Sequence, residues 1–240
     1  LCSAELLFGK VVEQNSAVLL FSYHSPRYLY LNAIDEGIQC LHAVKKLAGW
    51  LKQQHKAIQR IVGQETLCRE FLIAWEQPYH LQVALDAMIL QDIKMPLSKK
   101  GILRPATFQD EEFLAQWLIA FNWEAGQQTM PIHIAHDIIQ DEIRKNAVYI
   151  FDTPEKGPVF TAYFSEHLPH GTIINGVYTA PCHRNQGYCQ WAMALLCQQL
   201  LKQGNDYVAL FVDKTNPISN RAYKNIGFEI LEDQFYFQFT

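Results

Sequence analysis

An α+β fold built on a mixed sheet is predicted for this 240-residue chain, and three observations predict it. Short β-branched and aromatic runs alternate along the chain with amphipathic runs of helical period, an order that excludes a sandwich or a helix bundle. A polar, Pro- and Gly-punctuated stretch, Met95-Pro96-Leu97-Ser98-Lys99-Lys100-Gly101, parts two patterned halves, so domains are expected at 1–95 and 102–240 with 96–101 as linker. Finally, at ~100–200 residues per domain the length is enough for two cores.

In the first half, Ala17–Tyr23 and Arg27–Leu31 read as strands joined by a turn at His24-Ser25-Pro26. Ile34, Ile38, Leu41, Val44, Ala48 and Leu51 recur at three- and four-residue steps and mark the apolar face of a long helix. A strand at Ala57–Val62 and a helix at Glu65–Trp75, with Leu67, Phe71, Leu72 and Trp75 inward, complete a strand–helix–strand–helix order. In the second half, Ile102-Leu103-Arg104 is a short strand. Thr107, with Asp110 three residues on, makes a capping-box start for a helix striped by Phe113, Leu114, Trp117, Leu118 and Phe121. A helix at Ile132–Lys145, with Ile138, Ile139 and Ile143 apolar, precedes strands Ala147–Phe151 and Val159–Phe164, which flank a turn at Asp152–Gly157. Strand Thr172–Thr179, helix Gly187–Gln203 stopped by Gly204, strand Tyr207–Val212, helix Pro217–Asn225 and strands Phe228–Leu231 and Phe235–Phe239 follow.

Composition narrows the function. Against 24 Asp and Glu stand 20 Lys and Arg, a net charge of −4, and no basic cluster is denser than Lys99-Lys100. Nucleic acid is therefore not an expected partner. Neither is a membrane, since no apolar run nears the ~18–20 residues needed to span one. The stretch Leu1-Cys2-Ser3-Ala4 lacks a basic region followed by an apolar run and does not read as a signal peptide. The six cysteines, Cys2, Cys40, Cys68, Cys182, Cys189 and Cys197, contain no C-x-x-C pair. They are expected as small buried thiols of a cytoplasmic protein, with no metal despite His183 near Cys189. His133 and His136 lack an H-E-x-x-H context and read as an exposed helical face, and Trp117, Trp123 and Trp191 as core or pocket wall.

The most specific stretch is Ala180-Pro181-Cys182-His183-Arg184-Asn185-Gln186-Gly187-Tyr188-Cys189, a loop between a strand and a helix. The first N–H groups of a helix have no internal partner and the macrodipole adds positive charge, so this loop ends at an anion site suited to a pyrophosphate. Gly187 removes a Cβ from the approach, and Arg184 supplies a cationic fork. A P-loop is excluded, because no Gly-Lys-Ser/Thr follows, and so is G-x-G-x-x-G.

Downstream stands Asn216-Pro217-Ile218-Ser219-Asn220-Arg221-Ala222-Tyr223-Lys224-Asn225-Ile226-Gly227-Phe228. With it, the chain resembles the GNAT acetyltransferase superfamily, whose Arg/Gln-x-x-Gly-x-Gly/Ala pattern is matched by Arg184-x-x-Gly187-x-Cys189. Cys189 departs from that pattern, bringing a Cβ and a sulfur where Gly or Ala is usual. Leu103-Arg104-Pro105-Ala106 fits the usual opening strand. Val177-Tyr178-Thr179-Ala180-Pro181, Gly187-Tyr188 and Leu210-Phe211-Val212-Asp213 resemble a bacterial subfamily with an extra N-terminal domain. Residues 1–95 are then a degenerate GNAT-like half, with Asn32-Ala33-Ile34-Asp35 where a phosphate loop would stand.

The resemblance implies an N-acetyltransferase that moves an acetyl group from acetyl-CoA directly to a primary amine, the acceptor being a small molecule or an exposed amino group. Arg184, Asn185, Gln186, Gly187, Tyr188 and Cys189 would hold the pyrophosphate. Val177, Tyr178 and Thr179 would pair with the pantetheine arm where this strand splays from Tyr207–Val212, and Asn216 would hold its amides. Tyr223 is implied as the acid for the departing thiolate. For the base, the candidates are Glu124 and the cluster Glu166, His167 and His170, or a water chain with no single base. Cys189, at a helix N-terminus where a thiol pKa falls, is the nucleophile of a covalent alternative. Two other readings stay open: a non-catalytic CoA-binding or interaction module, and an acyltransferase with another acyl-CoA and an amino acid acceptor, as the two-domain layout is similar to that of glycine N-acyltransferases. A homodimer is left open.

Overall fold

The computed structural model describes residues 6–24, 28–34, 37–126 and 129–240, without the side chains of residues 165–167. Cys2, the turn at Ser25-Pro26, the strand start at Arg27 and Asp35 lie outside the described residues. The chain falls into two compact units, Leu1–Ala87 with Asp213–Thr215 and Ile230–Thr240, and Met88–Val212 with Asn216–Glu229. The stretch expected as a linker is thus part of the second unit. The last residues, expected in the second domain, belong to the first.

The first unit holds β1 (Leu6–Glu13), β2 (Ser16–His24), β3 (Tyr28–Ala33), α1 (Ile38–Gln53), β4 (Arg60–Gly63), α2 (Glu65–Trp75) and most of β5 (Tyr79–Leu90). Its sheet runs β1-β2-β3-β4, then the C-terminal strand of the chain, then β5. β3 and β4 are parallel, joined by α1 as a crossover helix, and the flanking pairs are antiparallel. One face of α1 is buried through Cys40, Ala43, Val44, Leu47, Ala48 and Leu51. The expected stripe holds at Val44, Ala48 and Leu51 and fails at its start: Ile38 opens the helix and is 74% exposed, and Ile34 precedes it. Cys40 and Ala43 take the buried places near its start instead. β1 and β5 had no counterpart in the sequence reading. β5 is disguised by Asp86, which is buried and compensated by Lys214 at 3.0 Å.

The second unit holds β6 (Ile102–Pro105), α3 (Glu111–Glu124), α4 (Ile132–Arg144), β7 (Val148–Thr153), β8 (Gly157–Leu168), β9 (Gly171–Thr179), α5 (Tyr188–Lys202), β10 (Tyr207–Asp213) and α6 (Pro217–Ile226). Strand β11 (Glu229–Phe239) follows and carries the chain back to the first unit. It is one strand, not the two expected, because its polar middle is held in the ladder by Asp233 facing Lys214 at 3.5 Å. The second unit's sheet runs β10-β9-β8-β7-β6. Alternate residues of β7 serve two cores: Val148 and Ile150 meet Leu114, Ala115, Leu118, Ala135 and Ile139 from α3 and α4. Tyr149 and Phe151 meet Ala192, Met193, Leu196 and Leu200 of α5. Both faces are thereby covered, which accounts for the unbroken apolar run at 147–151. Ile138 is on the outer side of α4, while His136 is not an exposed residue: its Nδ1 lies 2.7 Å from Glu111 and ties α4 to α3.

Arg104 fixes where α3 begins. Its guanidinium donates to both oxygens of Asp110, at 2.8 and 2.9 Å, and to Asp152. Asp110 also accepts from the Thr107 N–H at 2.8 Å, half of the capping box expected there, although a short 3-10 turn, Phe108–Asp110, precedes the α-helix proper. Burial alone would raise the Asp110 pKa, but the hydrogen bonds from Arg104 and Thr107 outweigh it and hold the carboxyl below its usual range. A carboxyl depressed in the folded state contributes stability above its unfolded pKa of about 3.9 and loses it as pH falls through the folded value. Arg104→Ala is predicted to cost roughly 2–3 kcal/mol at pH 7, since it strands a buried carboxylate. The deficit of Asp110→Asn against the parent is predicted to shrink below about pH 4. Urea melts at the two pH values check both.

Candidate functional site

The site begins with a change of register. On β8, Thr161 and Tyr163 stand two apart, but their partners on β9, Tyr178 and Asn175, stand three apart. The extra residue is a bulge at Gly176, whose φ is +54 and where a Cβ would collide with the Tyr163 ring. β9 and β10 are parallel and in register only from Gly171 with Tyr207 to Ile174 with Leu210. Beyond that, β9 runs on to Thr179 and β10 to Asp213 without further pairing, so the two strands part and leave a cleft edged by Val177, Tyr178 and Thr179.

β9 leads through a short turn at Pro181–His183 to the start of α5. Asn185 and Gly187 both take positive φ, +60 and +78, and Gly187 is the N-cap. No side chain caps α5, so its first N–H groups face the loop without a side-chain acceptor. Lys156 reaches the loop from the β7–β8 turn, donating to Gln186 Oε1 at 2.7 Å and lying over the Tyr188 ring. In the wall of the cleft, the buried Thr179 hydroxyl lies against the Cys189 thiol.

Arg184 and Glu124, singled out separately in the sequence, are brought together. Arg184 Nη2 lies 2.8 Å from both Glu124 oxygens, its Nε donates to Thr179 O at 2.9 Å, and its guanidinium stacks over Tyr178. Glu124 raises the Arg184 pKa further, so this charge is permanent. Burial first, and then Glu124, raise that of Tyr178. Trp117 packs on Tyr178 from α3, with ring centroids 5.7 Å apart, whereas Trp123 is 69% exposed and walls nothing. His170 is exposed, 3.7 Å from Asp206. The side chains of Glu166 and His167 lie outside the described residues.

Tyr223 is buried in α6, near the thiols of Cys189 and Cys197, and burial lifts its pKa well above the usual tyrosine value. Asn216, the N-cap of α6, accepts from the Ser219 N–H at 3.1 Å through Oδ1. Cys189 corrects one expectation. Despite its place at the start of α5, burial pushes its thiol up to about 11, so at neutral pH it is protonated and no nucleophile. Among the described residues, no group of three His, Cys, Asp or Glu could hold a metal ion, and no helix is long and apolar enough to cross a membrane.

Comparison with known proteins bears on this arrangement. The model of the acetyltransferase (GNAT) family matches residues 109–228, half of the chain, and spans α3, the bulged strand, the α5 loop and α6. The chain belongs to the GNAT acetyltransferase family. A GNAT-family acetyltransferase from Colwellia psychrerythraea is similar with a TM-score of 0.63 at 12% identity, covering 96% of this chain and 84% of that one. A GCN5-related N-acetyltransferase from Sphaerobacter thermophilus gives 0.62 at 14%, covering 93% and 76%. A tandem GNAT protein from the clavulanic acid biosynthesis pathway gives 0.53 at 9%, covering 98% and 82%, so the likeness of fold extends over both units. No curated protein matches the sequence.

The GNAT fold's cleft rests here on one residue that the sequence reading passed over, Gly176. An isolated glycine inside a β-pattern is the signal that could have found it. The thiol chemistry is directly testable. Iodoacetamide at pH 7.5 is predicted to modify the exposed Cys182 well before Cys189, as peptide mass spectrometry would register.

Proposed function

We propose that the chain is an N-acetyltransferase that takes its acetyl group from acetyl-CoA and gives it to a primary amine on a small molecule or an exposed amino group. The coarser statement, a GNAT acetyltransferase, rests on the family match. The observation that supports the finer one is the juxtaposition of the parted strands β9 and β10 with the uncapped start of α5. A diphosphate fits the second feature, because no side chain caps the helix start and Gly187 adds no Cβ. An extended amide-bearing arm fits the first, along Val177, Tyr178 and Thr179, as an added strand would.

The thioester supplies an activated acyl carbon, and this chain's residues do the rest. Glu124 takes a proton from the incoming ammonium, so that the nitrogen lone pair adds to the carbonyl carbon and forms the C–N bond of a tetrahedral intermediate. The nitrogen then gives its second proton to solvent as the intermediate collapses, the C–S bond breaks and the carbonyl reforms. Arg184 holds the Glu124 carboxylate in place through both oxygens. Tyr223 is kept neutral by burial and so can donate to the departing sulfur at any working pH. Asn216 Nδ2 is available to the arm, since its Oδ1 is already used in capping α6. Trp117 and Tyr178 wall the acceptor side. The first unit is proposed as a degenerate GNAT-like half that cannot hold phosphates, and the free thiols agree with a cytoplasmic setting. A non-catalytic CoA-binding module is the second reading, favoured by the occupation of Glu124 and Arg184 with one another.

Titration calorimetry with acetyl-CoA is predicted to show micromolar binding that weakens about tenfold in Arg184→Ala. Tyr223→Phe and Glu124→Gln are predicted to lower kcat in a thiol-release assay by roughly a hundredfold, with donor affinity kept within about twofold. No binding by the parent protein would overturn the reading. Binding without thiol release from any amine would leave the module.

A further inference from the structure

The second unit covers both faces of its sheet, with α3 and α4 on one side and α5 on the other. The first unit does not. Its helices α1 and α2 share one core with Leu19, Phe21, Leu29, Leu31 and Ile61, so both lie on the same face. The alternate residues of β1, β2 and β3 point to the opposite face, where none of the helical cores among the described residues reaches. Strand pairing sets these residues in rows, Leu6 beside His24 and Tyr28, and Phe8 beside Ser22 and Tyr30. Phe8, His24, Tyr30 and Tyr28 make a continuous aromatic series, with successive ring centroids 6.2, 5.7 and 5.7 Å apart. Arg60 of β4 ends it, over the Tyr28 ring. Phe8, Leu6 and Leu20 on this face are 69%, 54% and 46% exposed, and no Asp or Glu stands in these rows.

We propose that this bare face is where two copies of the chain meet, packed sheet against sheet across a two-fold axis. Its make-up is that of an interface, rich in aromatic side chains with an arginine and free of carboxylates. A two-fold contact needs a patch complementary to itself, which apolar and aromatic side chains supply and a patch of one fixed charge does not. Arg60 needs no partner across the contact, because the Tyr28 hydroxyl and Gln238 Oε1 already accept from it. Lys10 lies on β1, the outermost strand, where its stem can carry the ammonium out to solvent. These two cations are too few to select an acidic partner of another sequence. The area is also sufficient. Five strands about 4.8 Å apart, with rows running about 20 Å along them, offer roughly 500 Å² per copy. Two such faces reach the ~1,000 Å² that a specific interface requires, at the low end that gives micromolar dimers. This inference stands apart from the acyl-CoA reading, since no residue of the second unit enters it.

The test is sedimentation equilibrium of the full chain from about 1 to about 200 μM, a range that brackets micromolar dissociation constants. The parent is compared with Phe8→Glu/Leu20→Glu and with Ile73→Glu. Ile73, 68% exposed on α2, lies on the opposite side of the sheet and is the control. All three substituted side chains are exposed, and a thermal melt verifies that each variant folds. The parent is expected to pass from monomer to dimer across the range. The double variant is expected to stay monomeric, a loss of about a hundredfold or more in affinity, while Ile73→Glu dimerises like the parent. Hydroxyl-radical footprinting of the parent alone gives a second readout that does not depend on any variant. Phe8 and Tyr30 are expected to lose reactivity at the high concentration, and Ile73 to keep its own. A parent that is monomeric throughout overturns the proposal and leaves the face to a partner of another sequence. A dimer that survives the double substitution, or protection that falls elsewhere than this face, overturns it too, since the copies would then meet at another surface.

Discussion

The short register between β9 and β10 is the constraint on which the candidate site depends. Parallel strands pair continuously unless something turns one of them away, and here the extra residue at Gly176 does so by bending β9 and increasing its twist. The same bend sets the direction in which the chain leaves Thr179 and therefore where α5 begins. α5 cannot drift, because Ala192, Met193, Leu196 and Leu200 are locked against the sheet. A cleft made this way is shaped by packing and strand register, on which the positioning of reacting groups can rest.

Electrostatics adds a second tie. Arg184 bonds to the last carbonyl of β9, to the carboxylate at the end of α3, and stacks on the ring between them. One guanidinium thus fastens the end of a strand and the loop that follows it to a helix 60 residues earlier in the chain. Its fork geometry allows three simultaneous engagements, which a lysine could not reproduce.

What could be read from the sequence was local chemistry. The strand–loop–helix around Gly187 and the Asn216–Tyr223 spacing depend on neighbours along the chain, and α2 was placed at its observed limits for the same reason. What could not be read depends on distant partners. β5 hides because its Asp86 is acceptable only beside Lys214, and β11 looks broken because Asp233 needs that same lysine. The stripe of α1 departs from expectation only at its start, where Cys40 and Ala43 rather than Ile34 and Ile38 are buried. The pairing of Arg184 with Glu124 was out of reach, since the carboxylate is brought there by a helix whose start is fixed by Arg104.

The return of β11 to the first unit has a consequence for how the protein is made. That unit's sheet has a place between β4 and β5 which only the final strand fills, and its core includes Phe235 and Phe237 alongside Leu29, Ile61 and Phe71. On the ribosome, the first ninety or so residues emerge early yet cannot close their own sheet. They must wait, with an open seam, while the whole of the second unit is synthesised. The second unit, by contrast, has nearly all its strands and helices in one stretch of chain and can fold as that stretch appears. The order of synthesis is therefore the reverse of the order of completion, and the early half is the one exposed to chaperones and proteases in between.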